Sequence, residues 1–140
     1  MKANKIYLLK FSVRPIEIDN DDSFEHPFYN DLSLSLNDED RKYVGFADNE
    51  DMFIRLLDHK LDMVCNILTN YGFVFEKKDV TIDAIRGRLQ KDYPEVSELT
   101  PYLFEDFRYD NTSIDDVLDK INETGMKSLD KIDNEILKNA

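Results

Sequence analysis

Residues 48–73 read DNEDMFIRLLDHKLDMVCNILTNYGF, and the assignment of this stretch decides the fold. Phe53, Leu56, Leu57, Leu61, Val64, Leu68 and Tyr71 recur at spacings of one, three or four residues, which gathers them on one face of a helix. Asp48 stands as an N-cap, and Asn49, Glu50 and Asp51 place acceptors and negative charge beside the free N–H groups of a first turn. Gly72 can take the left-handed conformation that ends a helix, with Phe73 folding back on the last turn. The stretch predicts one long central helix over residues 48–73.

Upstream the pattern is that of strands. Residues 5–14 alternate, with Tyr7, Leu9, Phe11 and Val13 on one face and Ile6, Leu8, Lys10 and Ser12 on the other. Pro15 interrupts this strand. Residues 19–31, DNDDSFEHPFYND, have the composition of a loop, and Phe24, Phe28 and Tyr29 within it are expected to pack it on the core. Leu32, Leu34 and Leu36 alternate with Ser33 and Ser35 and predict a second strand; residues 37–40 are an acidic turn. A third strand is placed over residues 41–46, leading directly into the central helix, and a fourth over residues 73–76.

Downstream the period becomes helical. Ile82, Ile85 and Leu89 share a helix face that Tyr93-Pro94 closes, and Thr100-Pro101 opens a helix over residues 102–109. Ser113 with Asp116 forms a capping-box start for Ile114, Val117, Leu118 and Ile121; Gly125 ends that helix and Ser128 caps a last one. Strands first and helices after them predict an α+β domain: a small, mainly antiparallel sheet of about four strands packed on one long central helix, followed by several short C-terminal helices. The domain spans residues 1–112, and residues 113–140 are a helical C-terminal appendage packed on it.

Within that appendage, Leu118, Asp119, Lys120, Ile121, Gly125, Ser128 and Leu129 follow a Leu-Asp-Lys-Ile, Gly, Ser-Leu pattern that precedes an acidic helix. This segment resembles the short two-helix C-terminal tail of some bacterial rhomboid-type membrane proteins, over 28 of 140 residues. Lys131 stands where that pattern carries an acid three positions after the cap serine. The resemblance implies a bacterial origin and an acidic helical appendage, and it carries over no catalytic residue.

The chain has 30 acidic and 18 basic residues, a net charge of −12, with both ends more acidic than the middle. Such a field repels nucleic-acid phosphates and anionic membranes and steers a basic protein partner inward. A hydrophobic content of 41%, with seven tyrosines and nine phenylalanines, supports a packed core. The single cysteine, Cys65, excludes an intramolecular disulfide and a cysteine-based zinc site. The N-terminal residues lack a secretory leader pattern and no apolar run reaches bilayer length, so a cytoplasmic protein without membrane insertion is expected.

Candidate chemistry is sparse. His59, Asp62 and Cys65 lie on the central helix, but His59 and Cys65 are six residues apart, about 240° round it, and point different ways. His59, Asp58 and Asp62, with His26 as a remote ligand, lack the His-x-x-x-His spacing of a zinc site. Asp19, Asp21 and Ser23 open like a calcium loop, yet Phe24 stands where the turn needs glycine and Asn30 where a bidentate glutamate belongs. No metal and no cofactor is expected. Lys77, Lys78, Arg86, Arg88 and Lys91 form the one basic segment, expected to pair with acids elsewhere, such as those of the 19–25 loop. Tyr93, Tyr102, Phe104, Phe107 and Tyr109 crowd the segment that follows.

Two readings result. The first is a small acidic, non-enzymatic protein-binding module of inhibitor or immunity type, in which Asp19, Asp21, Asp22 and Glu25 attract a basic partner and Tyr102, Phe104 and Tyr109 anchor it. The second is a small ligand-binding domain or enzyme with its site near the central helix, around Arg55, His59 and Asp62.

Overall fold

A computed structural model describes residues 2–21, 23–94 and 101–139. Its elements are β1 (Tyr7–Val13), α1 (Ile16–Asp19), α2 (Pro27–Ser35), α3 (Asp38–Arg41), β2 (Val44–Phe46), β3 (Met52–Ile54), α4 (Asp58–Asn70), β4 (Val74–Asp79), α5 (Thr81–Ile85) and α6 (Arg88–Asp92). They continue with α7 (Pro101–Asn111), α8 (Ile114–Thr124), a 3-10 turn (Met126–Ser128) and α9 (Lys131–Lys138). The fold is α+β. Its four-stranded sheet has the order β2-β3-β1-β4 and is antiparallel throughout.

The sheet is buried on both faces where β1 and β3 meet. Leu9, Met52 and Ile54 point to a core built with Phe28, Leu36, Leu61, Val64, Leu68 and Phe73 from α2, α4 and the start of β4. Ile6, Leu8 and Phe53 point the other way, into a core with Ala84, Leu89, Leu103, Phe104 and Phe107 from α5 to α7. Helices therefore cover both faces, and each fully buried apolar side chain contributes about 1.5–3 kcal/mol.

This two-sided burial corrects the helix expected over residues 48–73. A strand covered on both faces carries no polar alternation, so Met52-Phe53-Ile54 looked continuous with the helical stripe behind it. In the structure Asp48 is not a helix cap but part of the hairpin turn joining β2 to β3, closed by Glu50 N–H to the Ala47 carbonyl at 2.8 Å and Ala47 N–H to the Asp51 carbonyl at 2.9 Å. The helix begins ten residues later, at Asp58, with no side-chain cap at Leu57. Its end is as expected: Gly72 has φ +95°, Phe73 N–H reaches the Leu68 carbonyl at 3.0 Å, and Gly72 N–H reaches that of Thr69 at 3.1 Å.

The strand expected at Leu32, Leu34 and Leu36 is also corrected. These residues belong to α2 and its C-cap, and Leu34, 79% exposed, lies on the outer side. The inward period is Phe28, Leu32, Ser35 and Leu36, and Pro27 occupies the first turn, where its missing N–H is harmless. The acidic turn at residues 37–40 is the start of α3, with a capping box between Asn37 and Asp40. Of the strand expected at 41–46 only Val44–Phe46 forms, as β2, while Arg41 ends α3, and β2 leads into the hairpin rather than into the helix. Downstream, Gly87 at φ +75° divides the expected helix into α5 and α6. The capping box at Ser113 and Asp116 forms, whereas Asp130 with Asp133, rather than Ser128, caps α9. The Thr100 cap lies outside the described residues.

Candidate functional site

A groove of about 580 Å³ runs between α2 and the edge strand β2. Tyr29, Leu32 and Leu36 form its helical wall, Val44, Phe46 and Met52 its sheet wall, and Phe24, Glu25 and His26 its mouth. A second hollow of about 380 Å³ shares Phe24, Tyr29, Leu32, Phe46 and Met52 with it and reaches inward to Phe11, Phe28 and Phe73. The rings beneath interlock edge to face: Phe28 lies 5.2 Å from Tyr29, and Phe11 lies 5.6 Å from Phe73.

Two non-glycine residues have left-handed backbone, Phe24 at φ +57°, which lines both the groove and the second hollow, and Glu50 at φ +69°, which lines the second hollow. Such a conformation costs about 1–2 kcal/mol for an ordinary residue. At Glu50 the hairpin turn and Arg14 hold it: the guanidinium lies 3.3 Å from the Glu50 carboxylate and donates to the Glu50 carbonyl at 3.2 Å. Arg14 also donates to Asp19 at 3.1 Å and sits 4.8 Å over the Phe11 ring, so it ties the acidic loop to the hairpin tip. At Phe24 the holder is Asp21, whose carboxylate accepts from the Ser23 hydroxyl at 2.6 Å and from His26 N–H at 2.7 Å. These hydrogen bonds, that from Ser23 foremost, keep the Asp21 carboxyl below its ordinary range. The outcome is a Phe24 ring 68% exposed, touching Tyr29 at 5.1 Å between centroids.

The expected partner-binding residues fall in two places. Asp19 ends α1 and is engaged by Arg14, Asp21 lies in the loop that follows, and Glu25 is exposed along the groove lining; Asp22 lies outside the described residues. Tyr102, Phe104 and Tyr109 are on α7 and do not line the groove. Phe104 is 0% exposed, packed on Phe53 at 5.4 Å, and so is a core residue and not a partner anchor. Tyr102 is partly exposed beside Tyr43 and Lys42. The Tyr109 hydroxyl donates to Glu135, which pushes its pKa up to about 12 and commits it to α9. Of the groove's own aromatics, Phe24 and Tyr29 were expected only to pack their segment on the core, whereas Phe24 stands 68% exposed, and Phe46 was read only as part of a strand.

The region around His59 assembles no reactive set. Arg55 is buried and each of its guanidinium nitrogens donates once, to the Ala3 carbonyl at 2.8 Å, the Tyr102 carbonyl at 3.1 Å and Asp110 at 3.0 Å. It clamps the N-terminal segment to α7. His59 and Asp62 are exposed, and no hydrogen bond joins them among the described residues. Burial raises the pKa of the Cys65 thiol, which disfavours a thiolate. His26 uses Nδ1 to accept from Phe28 N–H at 3.2 Å and so caps α2. Among the described residues no group of three or more His, Cys, Asp or Glu side chains is gathered to hold a metal ion.

Two bases of the basic segment pair with acids outside the 19–25 loop: Arg86 lies 3.3 Å from Glu123 and Arg88 lies 3.3 Å from Asp83, while Lys77 sits over the Tyr7 ring. Beside that segment Arg108, 1% exposed, reaches Asp133 at 2.8 Å, Asp130, and the Ile85 carbonyl at 3.2 Å. Lys120 completes the cluster at 2.7 Å from Asp133. This is a structural clamp holding α8 and α9 on α5 and α7.

No described helix is long and apolar enough to cross a membrane. The chain matches no protein-family model, no curated protein and no solved structure.

Proposed function

We propose that this protein is an acidic, non-enzymatic binding module that captures a basic protein partner at the groove between α2 and β2. The observation that carries the reading is Phe24, held in a strained left-handed backbone with its ring 68% exposed at the mouth of an aromatic-lined groove. Strain of this kind persists only where the surroundings over-determine it, and a folding requirement would not leave the ring in solvent. An aromatic anchor above an apolar slot is the arrangement that concentrates binding energy in a few side chains.

Charge supplies the other half. The net charge of −12 steers a cationic surface toward the protein, and Glu25 lines the groove itself. An inhibitor or immunity-type role, occupying the working face of a basic protein, suits both features. The test is a pull-down from native lysate with the whole chain as bait. The result expected is retention of a basic protein that falls as salt is raised and is lost with Phe24→Ser. Retention indifferent to both salt and Phe24 would overturn the reading.

A further inference from the structure

The two edges of the sheet are built differently. β4, the edge beside β1, reads VFEKKD and carries Glu76, Lys77, Lys78 and Asp79, the kind of charged edge that discourages another strand from pairing. β2, the opposite edge, reads VGF and carries no charge. Its register fixes which way its backbone points. Arg55 N–H bonds the Tyr43 carbonyl at 2.8 Å and Ala47 N–H bonds the Asp51 carbonyl at 2.9 Å, and Gly45 opposes Phe53 midway between them. In an antiparallel ladder hydrogen-bonded pairs alternate with non-bonded ones. Tyr43, Gly45 and Ala47 therefore turn their ladder groups toward β3, while the N–H and C=O of Val44 and Phe46 face outward, where the sheet has no further strand among the described residues. The side chains of those two residues line the groove.

Resting on the binding-module reading above, we infer that the partner is held by strand addition: an extended segment of the basic protein pairs with the outer edge of β2. Successive side chains of an added strand alternate between faces, so every second one would enter the groove against Tyr29 and Leu32. The required chemistry is alternating apolar residues with a lysine or arginine beside them. The bases near the groove are already matched, Arg41 by Asp38 at 3.6 Å and Arg14 by Asp19 and Glu50, whereas Glu25 at the mouth forms no ion pair among the described residues. The cation of the incoming strand meets Glu25. Because β2 is three residues long, backbone pairing sets register and the side chains in the groove supply most of the affinity.

The test uses the full chain and a displayed library of random linear peptides as probe. Selected peptides are expected to alternate apolar residues around a basic one and to slow hydrogen exchange at the Val44 and Phe46 amides. Val44→Pro deletes an outward donor at an edge position where proline is tolerated, and should weaken the peptide about tenfold, the effect of one lost hydrogen bond, with the far-ultraviolet spectrum unchanged. Peptides that bind without protecting either amide and ignore Val44→Pro would overturn strand addition while leaving the binding-module reading intact. A basic protein retained in the pull-down when no linear peptide is selected would do the same, because a folded surface would then be the ligand. Self-association abolished by Val44→Pro would assign the edge to a second copy of this chain and overturn the inference. Failure of both peptide selection and salt-sensitive pull-down would remove both.

Discussion

The clamp around Arg108 and the groove beneath Phe24 both gather charged and aromatic side chains, but one is closed and the other open. In the clamp every buried charge has partners: Arg108 and Asp133 are each 1% exposed, and Lys120, Asp130 and a backbone carbonyl complete the set. Buried ions survive only when paired and hydrogen-bonded, so the arrangement is rigid and offers nothing to a ligand. The groove has the reverse design. Apolar walls stay accessible, Phe24 carries left-handed strain, and the sheet edge beside it pairs with no further strand among the described residues. The first region secures the C-terminal helices; the second leaves apolar surface uncovered.

The sharpest way to break the contrast is to open the clamp. Arg108→Ala takes from the buried Asp133 its guanidinium partner, leaving Lys120 as its remaining counter-charge, and should cost about 3–5 kcal/mol in urea unfolding. A loss under about 1 kcal/mol would mean the network is not load-sharing. Gly87→Ala comes next. A methyl group there would meet Asp130 Oδ2 at 2.8 Å and Arg108 Nη1 at 3.1 Å, on a backbone at φ +75°. The expected cost is about 1–3 kcal/mol, read in the same unfolding experiment, and no loss of stability would show that the clamp can yield.

Acid probes the same region more gently. Burial alone would raise the Asp130 carboxyl, but the hydrogen bonds from Arg108 and Asp133 N–H and the charges of Arg108 and Lys120 outweigh it and hold the group below 3.8. A native pKa below the unfolded one means that the stabilisation is complete above the ordinary carboxylate value and is lost as pH falls through the lower native value. Melting temperature should therefore drop more steeply below about pH 4 in the parent than in Asp130→Asn; parallel curves would contradict this. The smallest effect is expected in the groove. Asn tolerates the left-handed backbone at position 24, so Phe24→Asn should leave stability within about 1 kcal/mol of the parent while abolishing retention of a basic partner. A large destabilisation would make Phe24 a folding residue and merge the two regions into one kind.

What could be read without coordinates depended on whether a residue's neighbours were local. The alternation of β1, the Gly72 stop and the Ser113–Asp116 box were legible because their partners lie within a few residues, and the α+β class followed from their order. The hairpin was not legible, because Met52, Phe53 and Ile54 are apolar on both faces only once α4 and α7 are in place. Leu34 hid α2 in the same way, as an exposed leucine that imitated strand alternation. Of the residues named from sequence as meeting a partner, only Glu25, among the described residues, lines the groove, and the stretch that holds it stood out because acids and aromatics crowd there. Phe104 was misplaced because an aromatic on a helix does not declare which side it faces.

The sequence by itself determined the acidity of the chain, the single cysteine, the central place of the segment ending at Gly72 and the capping box at Ser113 and Asp116. Tertiary structure alone decided that the sheet is covered on both faces, that Arg55 and Arg108 are sealed inside, and that β2 and α2 part to leave a groove under Phe24. The physical reason is range. Caps and periodicity are properties of neighbours along the chain, whereas burial, charge pairing and an open sheet edge depend on which distant segments come to rest against each other.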